Sequence, residues 1–96
     1  MADLEIETIR NEIDELDRRI VALIAERQKW VIQAGRIKKG QDEDAVKAPD
    51  RVERVIFKVR ALAEEASASA DVVEAAYRAL IAGFIDLELG VHRGQR

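Results

Sequence analysis

An apolar stripe runs along the first third of the chain and predicts a long helix. Its six residues recur at alternating steps of three and four, the spacing that keeps side chains on one helix face. They are Ile6, Ile9, Ile13, Leu16, Ile20 and Leu23. From Glu5 to Lys39 the chain has no proline, and it has no glycine before Gly35. The pattern therefore predicts an uninterrupted helix about 50 Å long.

Arg27 occupies the next position of the apolar stripe. The apolar pattern then resumes at Trp30, Ala34 and Ile37. An unpaired guanidinium within an apolar seam is costly. The nearby acids are poorly placed to pair with it, since Glu26 points away from the stripe and Asp17 lies about 15 Å along the axis. We therefore expect a bound carboxylate to meet Arg27.

A loop and a second helix are predicted after the long helix. From Gly40 to Ala48 the chain is polar and acidic, which is typical of a loop. Pro49 then begins a helix that ends near Ala66, because proline at the first helical position loses no hydrogen bond. Its apolar face comprises Val52, Val55, Ile56, Val59, Leu62 and Ala63.

A third helix is predicted from Ser69 to Gly90. Ser69 is a suitable N-cap, Asp71 is favourable in the first turn, and Gly90 is a natural stop. Its buried face is formed by Val73, Ala76, Tyr77, Leu80, Ile81, Phe84, Ile85 and Leu87. Residues 92–96 then read as a solvated tail. The predicted fold is all-α, with one long and two shorter helices.

A chain of 96 residues is short for the fold that this pattern predicts. We expect residues 1–96 to form a single domain. The chain after the long helix is too short to cover it, and a core of this size is marginal by itself. We therefore expect two copies to intertwine as a homodimer.

Composition and charge exclude several classes of function. The chain has no cysteine and only one histidine, His92, so thiol chemistry, disulfides and the usual zinc ligand sets are not expected. The start of the chain is acidic, and no apolar run approaches the roughly 20 residues of a membrane span, which indicates a cytoplasmic protein. The net charge of −3 argues against nucleic-acid binding.

Lys38 and Arg10 are candidates to complete an anion site with Arg27. Lys38 follows Arg27 by eleven residues, which returns it to within about 20° of the same helix face. Arg10 is about 25 Å from Arg27 in its own chain. If two long helices pair antiparallel about Ala22, Arg10 of the partner subunit faces the stretch around Ala34. The two-fold axis would then create two equivalent shared pockets.

Two residues of the later helices could border such a pocket. Arg51 opens the second helix near the end of the loop, and Glu88 lies beside the apolar face of the third. Each candidate also has a simpler interpretation. Arg10 and Arg51 could be solvated surface residues, Lys38 could complement the helix dipole, and Glu88 could form an ion pair with Arg93.

The chemistry of this set is narrow. The helical body has no histidine or cysteine, and the chain shows no Ser-His pairing, glycine-rich phosphate loop or carboxylate dyad. Cations and one glutamate can bind carboxylates, hold a substrate in a reactive shape and stabilise negative charge on an oxygen. These properties favour a unimolecular rearrangement or an elimination.

Four segments and the end of the third helix form a recognisable set, namely residues 9–17, 25–27, 35–38 and 48–52, and Glu88. Through this set, nearly the whole chain resembles the small all-helical chorismate mutase family. The resemblance implies an intertwined dimer that converts chorismate to prephenate without a cofactor. It implies that Arg27 and Arg10 of the partner subunit bind the substrate carboxylates, and that Lys38 contacts a carboxylate and the ether oxygen. Glu88 would face the ether oxygen.

The resemblance also gives supporting roles and leaves the substrate open. Arg51 would support the site, and Val52 and Phe84 are further substrate-binding candidates. Many members have glutamate at the position of Val52, aspartate at that of Ala48 and glutamine at that of Glu88. The run from Ala48 to Val52 is closer to the isochorismate pyruvate-lyase and aminodeoxychorismate mutase branch. Alternatives are therefore a lyase that forms salicylate, an amino-substituted chorismate mutase, and a non-enzymatic dimeric helical binding module.

Overall fold

The computed structural model describes residues 5–38 and 42–94, which form four helices and no strand. The helices are α1 (Ile6–Ile37), α2 (Glu43–Lys47), α3 (Pro49–Glu65) and α4 (Ala70–His92). The predicted all-α fold is confirmed, with α1 as the long helix and α3 and α4 as the shorter two. Within the described ranges, no helix is long and apolar enough to cross a membrane.

A five-residue helix, α2, lies in the segment that we predicted as a loop. The Asp42 carboxylate caps it by accepting a hydrogen bond from the Asp44 N–H at 3.3 Å. Glu43 in its first turn and Lys47 in its last complement the helix dipole. Val46 is buried, and α2 packs against α4. The loop prediction was wrong for these residues, because a helix with one buried residue, Val46, shows no periodic pattern of apolar positions.

The chain divides into two compact units, residues 1–30 and 31–96. The described part of the first unit consists of Glu5 and α1 up to Trp30. Its apolar stripe is exposed in the single chain, with exposed fractions from 39% at Ile9 to 63% at Leu23. Trp30 is 76% exposed. Within the described part of the first unit, the stripe is therefore an exposed apolar surface.

The second unit has its core where α4 packs against α3 and α2. The buried apolar side chains are Val46, Ile56, Val59, Ala63, Ile81, Phe84 and Leu89. Ser67 adopts a left-handed conformation (φ 60°) in the turn that joins α3 to α4. The Ser69 hydroxyl then accepts a hydrogen bond from the Val72 N–H at 3.2 Å, which confirms the predicted N-cap.

Ion pairs join the outer surfaces of α3 and α4. Arg60 contacts Glu74 at 2.7 Å and Asp71 at 3.1 Å. Arg78 binds Glu53 through both terminal nitrogens, each at 3.0 Å, and reaches Glu74 at 2.7 Å. Arg60, near the end of α3, pairs with residues near the start of α4, whereas Glu53, near the start of α3, pairs with Arg78 farther along α4. This order is typical of an antiparallel helix pair.

The end of α4 differs from the prediction. The helix continues through Gly90 to His92, and the Arg93 N–H donates to the Leu89 carbonyl at 2.9 Å. His92 is half-buried, and Arg93 forms an ion pair with Glu43 at 2.6 Å. The predicted stop at Gly90 and the predicted solvated tail at His92 were therefore wrong, because tertiary contacts outweigh the weak helix propensity of glycine. Residues 95 and 96 lie outside the described ranges.

Candidate functional site

Lys38 and Glu88 form a partly buried ion pair. Lys38 directly follows α1, and its Nζ donates a hydrogen bond to Oε2 of Glu88 at 2.9 Å. The exposed fractions of the two side chains are 29% and 10%. Such a pair is held in place because moving either partner would leave a charge in a poorly solvated position. The structure thus brings together two of the three predicted catalytic residues.

Glu88 does not make the simpler ion pair that we considered for it. Its carboxylate binds Lys38, whereas Arg93 binds Glu43 through Nε. The hydrogen bond from Arg93 lowers the pKa of the Glu43 carboxyl below its usual value. The alternative interpretation of Glu88 as the partner of Arg93 was therefore wrong. Glu88 is instead the buried charged residue of α4.

Gly35 explains how α1 and α4 approach closely beside this pair. It is the only buried residue of α1, all of which lies within the described ranges. A Cβ atom at this position would lie 3.1 Å from Cγ of Glu88 and 3.1 Å from two side-chain atoms of Val91. Because residues three apart share a helix face, Gly35 and Lys38 both face the region of Glu88.

The two arginines predicted to bind carboxylates belong to the first unit. Arg10 is exposed and lies 3.5 Å from Glu7 in the same helix. An exposed pair of this kind contributes little stability and leaves the guanidinium available to other anions. Arg27 is half-buried. The carboxylate-binding roles of both arginines stay predictions.

The remaining candidates lie on α3 and α4. Arg51 is exposed and Val52 is half-buried, both in the first turn of α3. Phe84 is buried and lies one turn before Glu88 on α4. Since residues four apart share a helix face, Phe84 places an apolar ring surface on the same side of α4 as the carboxyl group.

The site combines the Lys38–Glu88 ion pair with the apolar side chain of Phe84. Lys38 supplies a cation that can stabilise developing negative charge, and Glu88 supplies a group that accepts hydrogen bonds when ionised and donates one when protonated. Among the described residues, no group of three or more histidine, cysteine, aspartate or glutamate residues could hold a metal ion.

Sequence reasoning assigned no role to Gly35, Glu43 or Val91. Gly35 belongs to a segment that carried the family resemblance, and a glycine inside a long helical pattern is a usable signal of close packing. Glu43 and Val91 gave no such signal. Their contacts involve the last turn of α4, and the sequence analysis ended this helix at Gly90, before that turn.

Comparison with known proteins identifies similar sequences. A family model described as "Chorismate mutase type II" matches residues 9–89. The T-protein of Haemophilus influenzae is 38% identical over 69 residues, which make up 72% of this chain and 18% of the T-protein. The chain thus spans less than a fifth of this relative, and the likeness concerns a small part of it.

Proposed function

Because the chain belongs to the chorismate mutase type II family, we propose that it catalyses the Claisen rearrangement of chorismate to prephenate. In this reaction the ether C–O bond breaks as a new C–C bond forms within the same molecule. No atom is gained or lost, so the protein has only to hold the reactive conformation and stabilise charge. The chemistry available to this chain fits that requirement.

The observation that carries the proposal is the partly buried contact between Lys38 and Glu88. Negative charge grows on the ether oxygen as its bond to the ring breaks. A lysine ammonium within hydrogen-bonding distance of that oxygen stabilises the transition state more than the ground state, which is the condition for catalysis. Glu88 can donate to the same oxygen when it is protonated.

We assign substrate binding to residues from two subunits. Arg27 and Arg10 of the partner subunit bind the two carboxylates of chorismate, with Arg51 in support and Val52 and Phe84 against the ring. The exposed apolar stripe of α1 supports this assignment, because a second copy of the same stripe provides the apolar surface that it needs. The homodimer then carries two equivalent active sites.

A second candidate is the pyruvate-lyase reaction on isochorismate. The half-buried Val52 favours it, because many mutases have a glutamate at this position that contacts the substrate hydroxyl. Isochorismate differs from chorismate in the position of that hydroxyl, so a site without this glutamate loses one means of distinguishing the two. The same cations would serve both reactions.

Product identification tests the proposal. The purified protein is given chorismate and isochorismate in separate reactions, and the products are identified by chromatography against prephenate, salicylate and pyruvate. Prephenate from chorismate is the expected result. Salicylate and pyruvate from isochorismate, with chorismate unchanged, would favour the lyase. No turnover of either substrate would contradict both reactions and leave the amino-substituted chorismate mutase and the non-enzymatic binding module.

A lysine variant links the activity to the site. Lys38→Met keeps the length of the side chain and removes the charge, and it should lower kcat/KM by about 10²-fold or more. Lys58→Met is the matched control, because Lys58 is an exposed lysine of α3 that is not among the candidate site residues. Equal activities of the two variants would contradict the role of Lys38.

A further inference from the structure

Gly35 lies at a close approach between α1 and α4. A Cβ atom on Gly35 would lie 3.1 Å from Cγ of Glu88, 3.1 Å from Cβ of Val91 and 3.1 Å from Cγ1 of Val91. Ordinary van der Waals contact begins at 3.4 Å. An alanine here would therefore force at least one neighbour to move by a few tenths of an ångström.

The two neighbours of Gly35 differ in how they can move. Cβ of Val91 is bonded directly to the backbone, so it moves only with α4 itself. Cγ of Glu88 lies within a flexible side chain, but the carboxylate of that side chain is held by Lys38 at 2.9 Å. Relief of the Val91 contacts shifts α4, which carries Glu88, and relief of the Glu88 contact moves a side chain that Lys38 holds. Either displacement therefore changes the geometry of the Lys38–Glu88 contact.

Two other glycines show that a helical glycine in this chain need not have this effect. Gly83 and Gly90 both lie within α4, and a Cβ atom on either would meet no atom within 4 Å. Alanine is the better helix former, so substitution at those positions should be tolerated. Gly35 differs from them in the neighbours that surround it.

We propose that Gly35 is a positioning residue that fixes the Glu88 side chain, and through it the Lys38 ammonium, in the active site. This inference rests on the proposed function, because the position of the pair affects turnover only if the pair faces the reacting ether. Gly35 itself touches no substrate. It acts by having no side chain at the point where Glu88 passes.

The first experiment compares Gly35→Ala with Gly83→Ala and Gly90→Ala. All three variants add one methyl group to a helical glycine. Gly35→Ala should lower kcat about tenfold or more, because a small displacement of catalytic groups has a large effect on rate, while KM changes little. The two controls should retain activity within about twofold. Circular dichroism and sedimentation establish that each variant is folded and in the same oligomeric state as the wild type.

The second experiment separates positioning from a general packing effect. Glu88→Ala removes the Cγ atom that a new Cβ would meet and removes the carboxylate to be positioned. If Gly35 acts through Glu88, adding Gly35→Ala to Glu88→Ala should produce no further loss of kcat. A full additional loss in the double variant would overturn the proposal and assign the effect to Val91 and the packing of α4.

The third readout does not depend on activity. The carboxyl carbon resonance of Glu88 should shift when Lys38→Met removes its hydrogen-bond donor, and this shift should be smaller in the Gly35→Ala background. An equal shift in both backgrounds would overturn the proposal. If the wild type does not convert chorismate, the proposed function fails, and this measurement still decides whether Gly35 positions Glu88.

Discussion

At the scale of single residues, the ion pair of Lys38 and Glu88 is the strongest structural link between the fold and a reaction. Removing charged groups from water is costly, and the cost is offset only when the partners remain paired and hydrogen-bonded. The 10% exposure of the Glu88 side chain therefore makes its contact with Lys38 hard to replace by water. This restraint holds two groups of opposite charge at one point on the protein.

Substitution of Glu88 separates its possible roles. Glu88→Gln keeps the size of the side chain and supplies a permanent amide donor for an ether oxygen, so we expect it to retain most of the activity. Glu88→Ala should lower kcat by about 10²-fold, because it removes the partner that holds the Lys38 ammonium and leaves a gap beside it. Steady-state rates with chorismate measure both effects. Loss of activity in Glu88→Gln equal to that in Glu88→Ala would show that the negative charge is required.

Ala48 is a residue whose backbone is unfavourable for its side chain. It has φ 35° and ψ 64°, in the left-handed region, between the end of α2 and the start of α3. A residue with a Cβ atom is destabilised there by about 1–2 kcal/mol, whereas glycine is not. The side chain of Ala48 provides no compensating cap for α3.

We therefore predict that Ala48→Gly stabilises the fold by about 1 kcal/mol. The matched control is Ala61→Gly, an exposed position inside α3, which should lose about 1 kcal/mol because glycine is a poor helix former. Urea unfolding of the two variants and the wild type measures both changes. Equal losses in the two variants would mean that Ala48 is not strained in solution.

At the scale of helices, the starts of α3 and α4 and the end of α3 were predictable from the sequence, and the end of α4 was not. Pro49 and Ser69 mark the beginnings of α3 and α4 through local chemistry, namely a missing donor and a capping hydroxyl. The end of α4 depends on contacts with residues that are far away in the sequence, such as Gly35 in α1 and Glu43 in α2. The low helix propensity of Gly90 therefore predicted the end of the helix, whereas α4 continues through Gly90 to His92.

The α3–α4 ion pairs should weaken in acid. The hydrogen bonds from Arg78 lower the pKa of the Glu53 carboxyl, and those from Arg78 and Arg60 lower the pKa of Glu74, below the ordinary value of 4.5. The unfolded chain then binds more protons than the folded chain as the pH falls below that value. Their contribution to stability is therefore present at neutral pH and lost as the pH falls.

Arg78→Leu tests this dependence. It should lower the melting temperature by a few degrees at pH 7, and by progressively less as the pH falls through the lowered pKa values of these carboxyl groups. Arg54→Leu is the control, because Arg54 is exposed on α3 and makes no ion pair within the described residues. A loss that is independent of pH would indicate that Arg78 stabilises α3 and α4 through packing of its aliphatic stem.

At the scale of the whole molecule, the exposed apolar stripe of α1 is the reason that we propose a second copy as its partner. The periodicity of α1 was predictable from the sequence, and so was its length. What covers the stripe could not be predicted from the contacts of one chain, in which Leu16 is about half exposed, at 48%. We propose that a second copy covers it. The same limit applies to Arg10, whose predicted role depends on a second copy.

We expect the protein to be an obligate dimer whose melting temperature rises with protein concentration. Leu16→Lys places a charge in the stripe and should shift the protein to an unfolded or monomeric form. Asn11→Lys is the matched control, because Asn11 lies about 200° around the helix from Ile9 in the stripe. Sedimentation over a range of concentrations measures the association. A folded, active monomer of the wild type would contradict the dimer.

Complementation between two inactive variants tests whether the active sites are shared. Arg10→Ala and Arg27→Ala should each be nearly inactive, because each removes a charge-assisted contact with a substrate carboxylate. Unfolding the two together and refolding them yields about half mixed dimers, in which one pocket is intact and the other has lost both arginines. About a quarter of the wild-type activity should then return if the pockets act independently.

The controls of the complementation experiment decide its interpretation. Each variant refolded alone should recover no activity, and a size tag on one chain shows by native electrophoresis how many mixed dimers form. If mixed dimers form and no activity returns, the two arginines do not act in one pocket supplied by two chains. If a quarter returns, Arg10 of one subunit and Arg27 of the other serve the same substrate, because a mixed dimer has no other means of restoring an intact site.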